Sequence, residues 1–118
     1  MSKNIISSDI FAVEAAKIAL LRNCTDAKVL NLKGISPATD YYVIATGTSS
    51  RQIQTVADEI SDFAKENKYL RFGIAGYDSA NWILLDYVDV MVHIMSPQAR
   101  EYYNLEMLWG DAEEVEIK

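Results

Sequence analysis

Cysteine and histidine each occur once in the 118 residues, as Cys24 and His93. A lone cysteine excludes a disulfide within the chain and fits a reducing cytosol. One histidine without a cysteine cluster argues against a metal site of ordinary ligand spacing. No apolar run approaches the roughly 20 residues of a membrane span. The amino end, Met1 to Ile6, has neither the apolar core of a signal peptide nor the Arg-rich character of a transit sequence. Bases are also scarce, with eleven Lys and Arg against seventeen Asp and Glu, a net charge of −6. That balance disfavours direct contact with nucleic-acid phosphates or an anionic membrane, both of which need clustered cations. A basic protein partner is compatible with it. Repeats, low-complexity stretches and linkers are absent, and only Pro37 and Pro97 punctuate the chain. The expectation is a soluble, cytoplasmic, single-domain protein without a cofactor.

The residues that are present arrange themselves in a readable order. From about Ser8 to Asn23, the residues Phe11, Ala12, Ala15, Ala16, Ile18, Ala19 and Leu20 share one arc of a helix, and the alanines favour close packing on a sheet. Leu21 falls toward the polar side. Lys28–Lys33 reads as a short strand ended by Gly34. Tyr41–Thr46 reads as a stronger one because aromatic and β-branched residues dominate it. Thr48-Ser49-Ser50 then offers N-caps to a helix with Ile53, Val56, Ala57, Ile60, Phe63 and Ala64 inward. Arg71–Gly76 is a bend or short strand, followed by strands Trp82–Asp86 and Asp89–Met95. Ser96-Pro97 opens a last helix expected to reach about Trp109. The order α-β-β-α-β-β-α predicts an α/β two-layer sandwich, a mixed β-sheet with its helices packed mainly on one face. Residues 1–110 form the domain in this reading. Residues 111–118, with four acids and one Lys, form a solvated, mobile tail.

The most informative stretch runs from Trp82 to Met95. If Tyr87-Val88 is a two-residue connection, Asp86 faces Asp89, Leu84 faces Met91 and Trp82 faces His93 on one face of the sheet. The other face receives only Ile83, Leu85, Val90, Val92 and Ile94, and belongs under the helices. On the mixed face, an apolar Trp–Leu–Met patch with opposed carboxylates has the composition of a protein-binding hot spot and its rim. The competing reading is that another part of the chain covers it. Tyr-Val is poor hairpin chemistry, which prefers Asn-Gly or Asp-Gly. A shifted loop would change the facing pairs and leave the alternation intact.

Other features carry less. A dyad of His93 with Asp86 or Asp89 is conceivable, but a lone strand histidine is more often structural. Thr46–Arg51 stands between a strand and a helix, where amides can cradle phosphate, yet it lacks the Lys and glycine spacing of a P-loop. Cys24 reads as an inert, partly buried thiol. Tyr102, Tyr103 and Trp109 read as packing residues, with an exposed subset available for self-association.

Three separated motifs resemble the ribosomal silencing factor (Iojap) family. They are Asp40–Gln52 followed by Ala57–Ile60, then Trp82–His93, then Arg100–Ala112. The resemblance implies a non-enzymatic translation repressor that binds the universal fourteenth protein of the large ribosomal subunit and sterically blocks subunit joining. It implies a nucleotidyltransferase-like fold and homodimers when free. The metal-holding Asp-x-Asp of nucleotidyltransferases does not follow Gly47–Ser50, which agrees with a binding role; a nucleotide-binding or transferase-like enzyme using that loop, suggested by its place between a strand and a helix, is the alternative. Val88 stands where the family generally has Gly, which puts a two-residue turn in doubt. On this reading Trp82, Leu84, Asp86, Asp89, Met91 and His93 contact the ribosomal protein.

Overall fold

A computed structural model describes residues 6–117. The first helix, α1 (Ser8–Leu21), buries Phe11, Ala12, Ala15, Ala16 and Ala19. It stops at Arg22 and Asn23, where the backbone turns to φ 68° and the Cys24 N–H returns to the Ala19 carbonyl. Leu21 is exposed, as its place on the helix wheel predicts. Strand β1 (Thr25–Asn31) carries a bulge between Thr25 and Lys28 and runs antiparallel to β2 (Tyr41–Thr46). Helix α2 (Ser50–Glu66) starts where Ser49 Oγ accepts the Gln52 N–H at 3.1 Å. The Gln52 side chain donates to the Arg22 carbonyl at 2.8 Å, tying the start of α2 to the end of α1.

Three-residue β3 (Gly73–Ala75), β4 (Trp82–Asp86) and β5 (Val90–Met95) complete one flank of the sheet. With β6 (Glu113–Val115) at the far edge, the strand order is β3-β4-β5-β2-β1-β6, and only the β2–β5 pair is parallel. Helices α1 and α2 cover one face. Val29, Val43, Val90, Val92, Ile83, Leu85 and Ile94 are buried beneath them, as the alternation of β4 and β5 requires. The mixed sheet with its two long helices on one side is the α/β sandwich expected from the sequence.

Three expectations are corrected. The last helix does not run unbroken to Trp109. It divides into α3 (Pro97–Tyr103) and the single turn α4 (Leu105–Leu108), because Asn104 adopts φ 46°, ψ 57°. Asparagine tolerates that left-handed conformation better than most residues. The break lets both pieces follow the second face of the sheet. The acidic end is not a free tail either: Glu113–Val115 forms β6, antiparallel to β1, with Val115 and Ile117 packed toward the main core. The alternation Glu114-Val115-Glu116-Ile117 was the available signal. Its acids line the sheet edge, where charge discourages pairing with another chain.

The third correction concerns the β4–β5 turn. The observed register opposes Trp82 to Met95, Leu84 to His93 and Asp86 to Met91, so Asp86 and Asp89 do not face each other. The connecting residues are Val88-Asp89, closed by Tyr87 N–H to the Val90 carbonyl at 2.9 Å. Val88 sits at φ 70°, inside a three-residue turn in which the Asp89 N–H reaches the Tyr87 carbonyl at 2.8 Å. A β-branched residue is strained there. Val88→Gly is therefore expected to raise the free energy of unfolding by about 1 kcal/mol, read from denaturant midpoints. A lower midpoint would show that the turn carries no such strain.

Candidate functional site

The second face of the sheet is only half covered. Leu30, Leu32, Ile44, Met95 and Ala99 form a smaller buried cluster, against which Tyr42, Trp82, Leu105, Trp109 and Ala112 pack. This cap is locked by Arg100, whose side chain is 9% exposed. Its Nε and Nη2 donate to the two carboxylate oxygens of Glu106 at 3.1 and 3.0 Å, and its Nη1 donates to Thr46 Oγ1 at 2.8 Å. Such a two-pronged pair is the strongest geometry an arginine offers a carboxylate. It holds the Glu106 carboxyl below the usual range. Lys28 adds a contact to Glu106 at 3.4 Å.

Beyond the cap lies a strip that neither helix layer covers. Cross-strand partners share a face, so Gly73 and Ala75 of β3, Leu84 and Asp86 of β4 and Met91 of β5 line it. Leu84, Asp86 and Met91 are half-buried and Ala75 is exposed. Trp82 marks the border. Its indole N–H donates to His93 Nδ1 at 3.1 Å, and its ring lies 4.6 Å from that of Tyr103 on α3. Tyr42 closes on His93 from the other side, ring centres 4.4 Å apart.

The six residues expected to act together therefore take different roles. His93 is 3% exposed, and burial pushes its pKa down to about 4. The neutral ring accepts from Trp82, so its proton rests on Nε2, which has no hydrogen-bond partner among the described residues. His93 props the tryptophan and cannot touch a partner directly. Asp86 spends Oδ1 on the Val88 N–H at 2.8 Å, fixing the turn. Asp89 stands exposed at the tip of the hairpin. Trp82, Leu84 and Met91 remain neighbours on the strip.

Periodicity did not single out the exposed aromatic and apolar group that adjoins Trp82. Tyr102 is 81% exposed, Tyr103 50%, Met107 75% and Leu108 68%. At the opposite end of the parallel pair, Gly47–Ser50 and Ser96–Gln98 frame a small cleft with no acidic or basic side chain in its lining. Among the described residues no cluster of His, Cys, Asp and Glu could hold a metal ion.

A profile of the family described as "Ribosomal silencing factor during starvation" matches residues 6–118, nearly the whole chain. The chain belongs to the ribosomal silencing factor family. It is 44% identical to ribosomal silencing factor RsfS of Bacillus subtilis over 91 residues, 77% of each chain. It is 37% identical to the chloroplastic Iojap protein of Arabidopsis thaliana over 107 residues, 91% of this chain and 44% of that one. A solved structure of a Chromobacterium violaceum protein superposes with a TM-score of 0.85 at 30% identity, covering 89% of this chain and 88% of the other. The family is named for silencing at the ribosome, not for a catalysed reaction, and the chain is placed among ribosome-associated factors on that ground.

Proposed function

We propose that this silencing factor acts by occlusion: it docks on a basic protein of the large ribosomal subunit, the universal fourteenth, and blocks the approach of the small subunit. No bond is made or broken. The carrying observation is the uncovered strip of Leu84, Asp86 and Met91, continuous through Trp82 with the exposed Tyr102, Tyr103, Met107 and Leu108. An exposed aromatic and aliphatic patch of this kind marks an interface in a folded protein. Tyr and Trp supply the largest share of binding energy at such centres. Asp86 and Asp89 at the hairpin end would meet Lys and Arg at the rim, where charge governs specificity and on-rate more than raw affinity.

Co-sedimentation with purified large subunits tests the reading. Tyr102→Glu and Asp89→Lys change exposed side chains that no described hydrogen bond or ion pair uses. Each is expected to weaken binding at least tenfold, about 1.4 kcal/mol, with circular dichroism unchanged. Asp86→Asn retains the acceptor that holds the turn and removes only the charge. Undiminished binding of all three variants would place the interface elsewhere.

A further inference from the structure

On the helix side of the sheet, the end of α2, the segment leading to β3 and Tyr87 border a half-open cavity of about 330 Å³. The volume lies within the range of small-molecule sites. Lys65, Lys68 and Arg71 line it with a single carboxylate, Asp62. The lining side chains thus carry three cations and one acid, in a chain whose total is −6, with the Asp89 carboxylate close to the inner wall. No ion pair among the described residues involves any of the three cations. Arg71 spends one N–H on Ser61 Oγ at 3.2 Å, which points its guanidinium along the cavity wall.

The rest of the lining is amphipathic. Leu70, 79% exposed, and Ala64 supply aliphatic surface. Tyr69 and Tyr87, each 3% exposed, form the inner wall. Burial and the nearby Asp89 charge push Tyr69 up to about 12, so it remains a protonated phenol. Structural need does not account for the cations. One basic residue in the last turn suits the helix dipole, but Lys68 and Arg71 lie beyond the helix end.

We propose that this cavity binds a small organic phosphate monoester, its dianion held between Lys65, Lys68 and Arg71 and its apolar part against Leu70 and Ala64. The sign of the charge matches, since the three cations of the rim outnumber its one carboxylate. An arginine fork with two ammonium groups is a recurrent phosphate-binding set. The volume admits a ring-sized group in addition to the phosphate. The cavity opens on the face of the sheet opposite Leu84 and Met91, and the two surfaces approach each other only at the β4–β5 hairpin, where Asp89 lies near Tyr69.

The test is titration of the full-length, ¹⁵N-labelled protein with phenyl phosphate, AMP and inorganic phosphate at constant ionic strength. The expected result is saturable movement of amide resonances from Ser61 to Arg71 and at Tyr87, with phenyl phosphate or AMP binding more tightly than inorganic phosphate. The double variant Lys68→Gln/Arg71→Gln changes two exposed side chains, leaves the fold intact by circular dichroism, and is expected to weaken binding at least tenfold. Arg51→Gln, at the other end of α2, is expected to change nothing. Three results would overturn the proposal: no saturation below about 1 mM, equal binding by the double variant, or movement centred on Gly47–Ser50 and sensitive to Arg51.

Discussion

Glu106→Gln is expected to lower the free energy of unfolding by about 3 kcal/mol, the scale for breaking one side of a buried ion pair. Arg100 is almost wholly enclosed, and both oxygens of Glu106 accept from it. Glutamine offers one acceptor in that place and no charge, so the guanidinium keeps one hydrogen bond to residue 106 beside the one to Thr46. Asp26, 3.4 Å from Nη2 but 60% exposed, is too well solvated to replace the lost partner. Urea denaturation at pH 7 reads the loss as a shifted midpoint with an unchanged slope. A variant that unfolds at the parental midpoint would show that the pair does not hold the cap on the sheet. The double variant Arg100→Met/Glu106→Leu is expected to recover most of the loss, because it leaves no buried charge unpaired. Glu106 titrates below the usual range in the folded state, so its contribution is complete above the unfolded pKa and is lost as pH falls through the folded one.

A second loss is expected at a higher pH and from a different cause. His93 has a folded pKa of about 4 against a reference of 6.5. Between those values the unfolded chain binds the proton and the folded chain does not, so stability falls as pH is lowered. The full difference amounts to about 3 kcal/mol once pH is below 4. Protonation would place a charge among Tyr42, Trp82 and the sheet, and would remove the Nδ1 lone pair that accepts the Trp82 N–H. His93→Gln keeps a hydrogen-bond acceptor without a titrating group near pH 6. The difference in unfolding free energy between the two proteins, followed from pH 7 to pH 4 by denaturant midpoints and Trp fluorescence, should shrink by this amount. Parallel curves would mean that the folded and unfolded chains bind this proton alike, and that burial does not lower the His93 pKa.

Both effects act on the same piece of architecture. The Arg100–Glu106 pair pins α3 and α4 over half of the second face. His93 and Tyr103 hold Trp82 at the border of the half left open. The proposed docking surface is thus set by how far this cap extends. A helix continuing straight through Asn104 would carry Leu105 and Trp109 away from Leu30, Ile44 and Tyr42.

How much of this is legible in the chain depends on the range of the interaction concerned. Strands β2 and β4 coincide with the segments expected from aromatic and β-branched runs, and the caps Ser49 and Ser96 serve the helices they precede. The two faces of β4 and β5 also separate as period-two alternation requires. These are local properties, decided within a few residues. The pairing register is not legible in this way, because Tyr87-Val88 and Val88-Asp89 are equally poor loops by residue type. The backbone places its positive φ at Val88 and uses Val88-Asp89, which moves every opposed pair by one position on each strand. Trp82 and His93 still meet, side chain to side chain on the diagonal, so the shift changes the facing pairs and not the neighbourhood.

The family was identifiable from Asp40–Gln52, Trp82–His93 and Arg100–Ala112, and so was the absence of clustered base on the proposed docking face. By itself the sequence determined the element types, the buried face of the hairpin and the kinship, because short-range periodicity and motif spacing survive without knowledge of the fold. Tertiary structure alone decided three other matters: that residues 113–115 complete the sheet, that His93 is buried while Tyr102 is not, and that Lys65, Lys68 and Arg71 border one cavity with Tyr87. Each depends on chain segments brought together across the sheet or around a helix end. The opening balance of −6 conceals that last feature, since net charge is a sum over the chain and a binding site is a local arrangement.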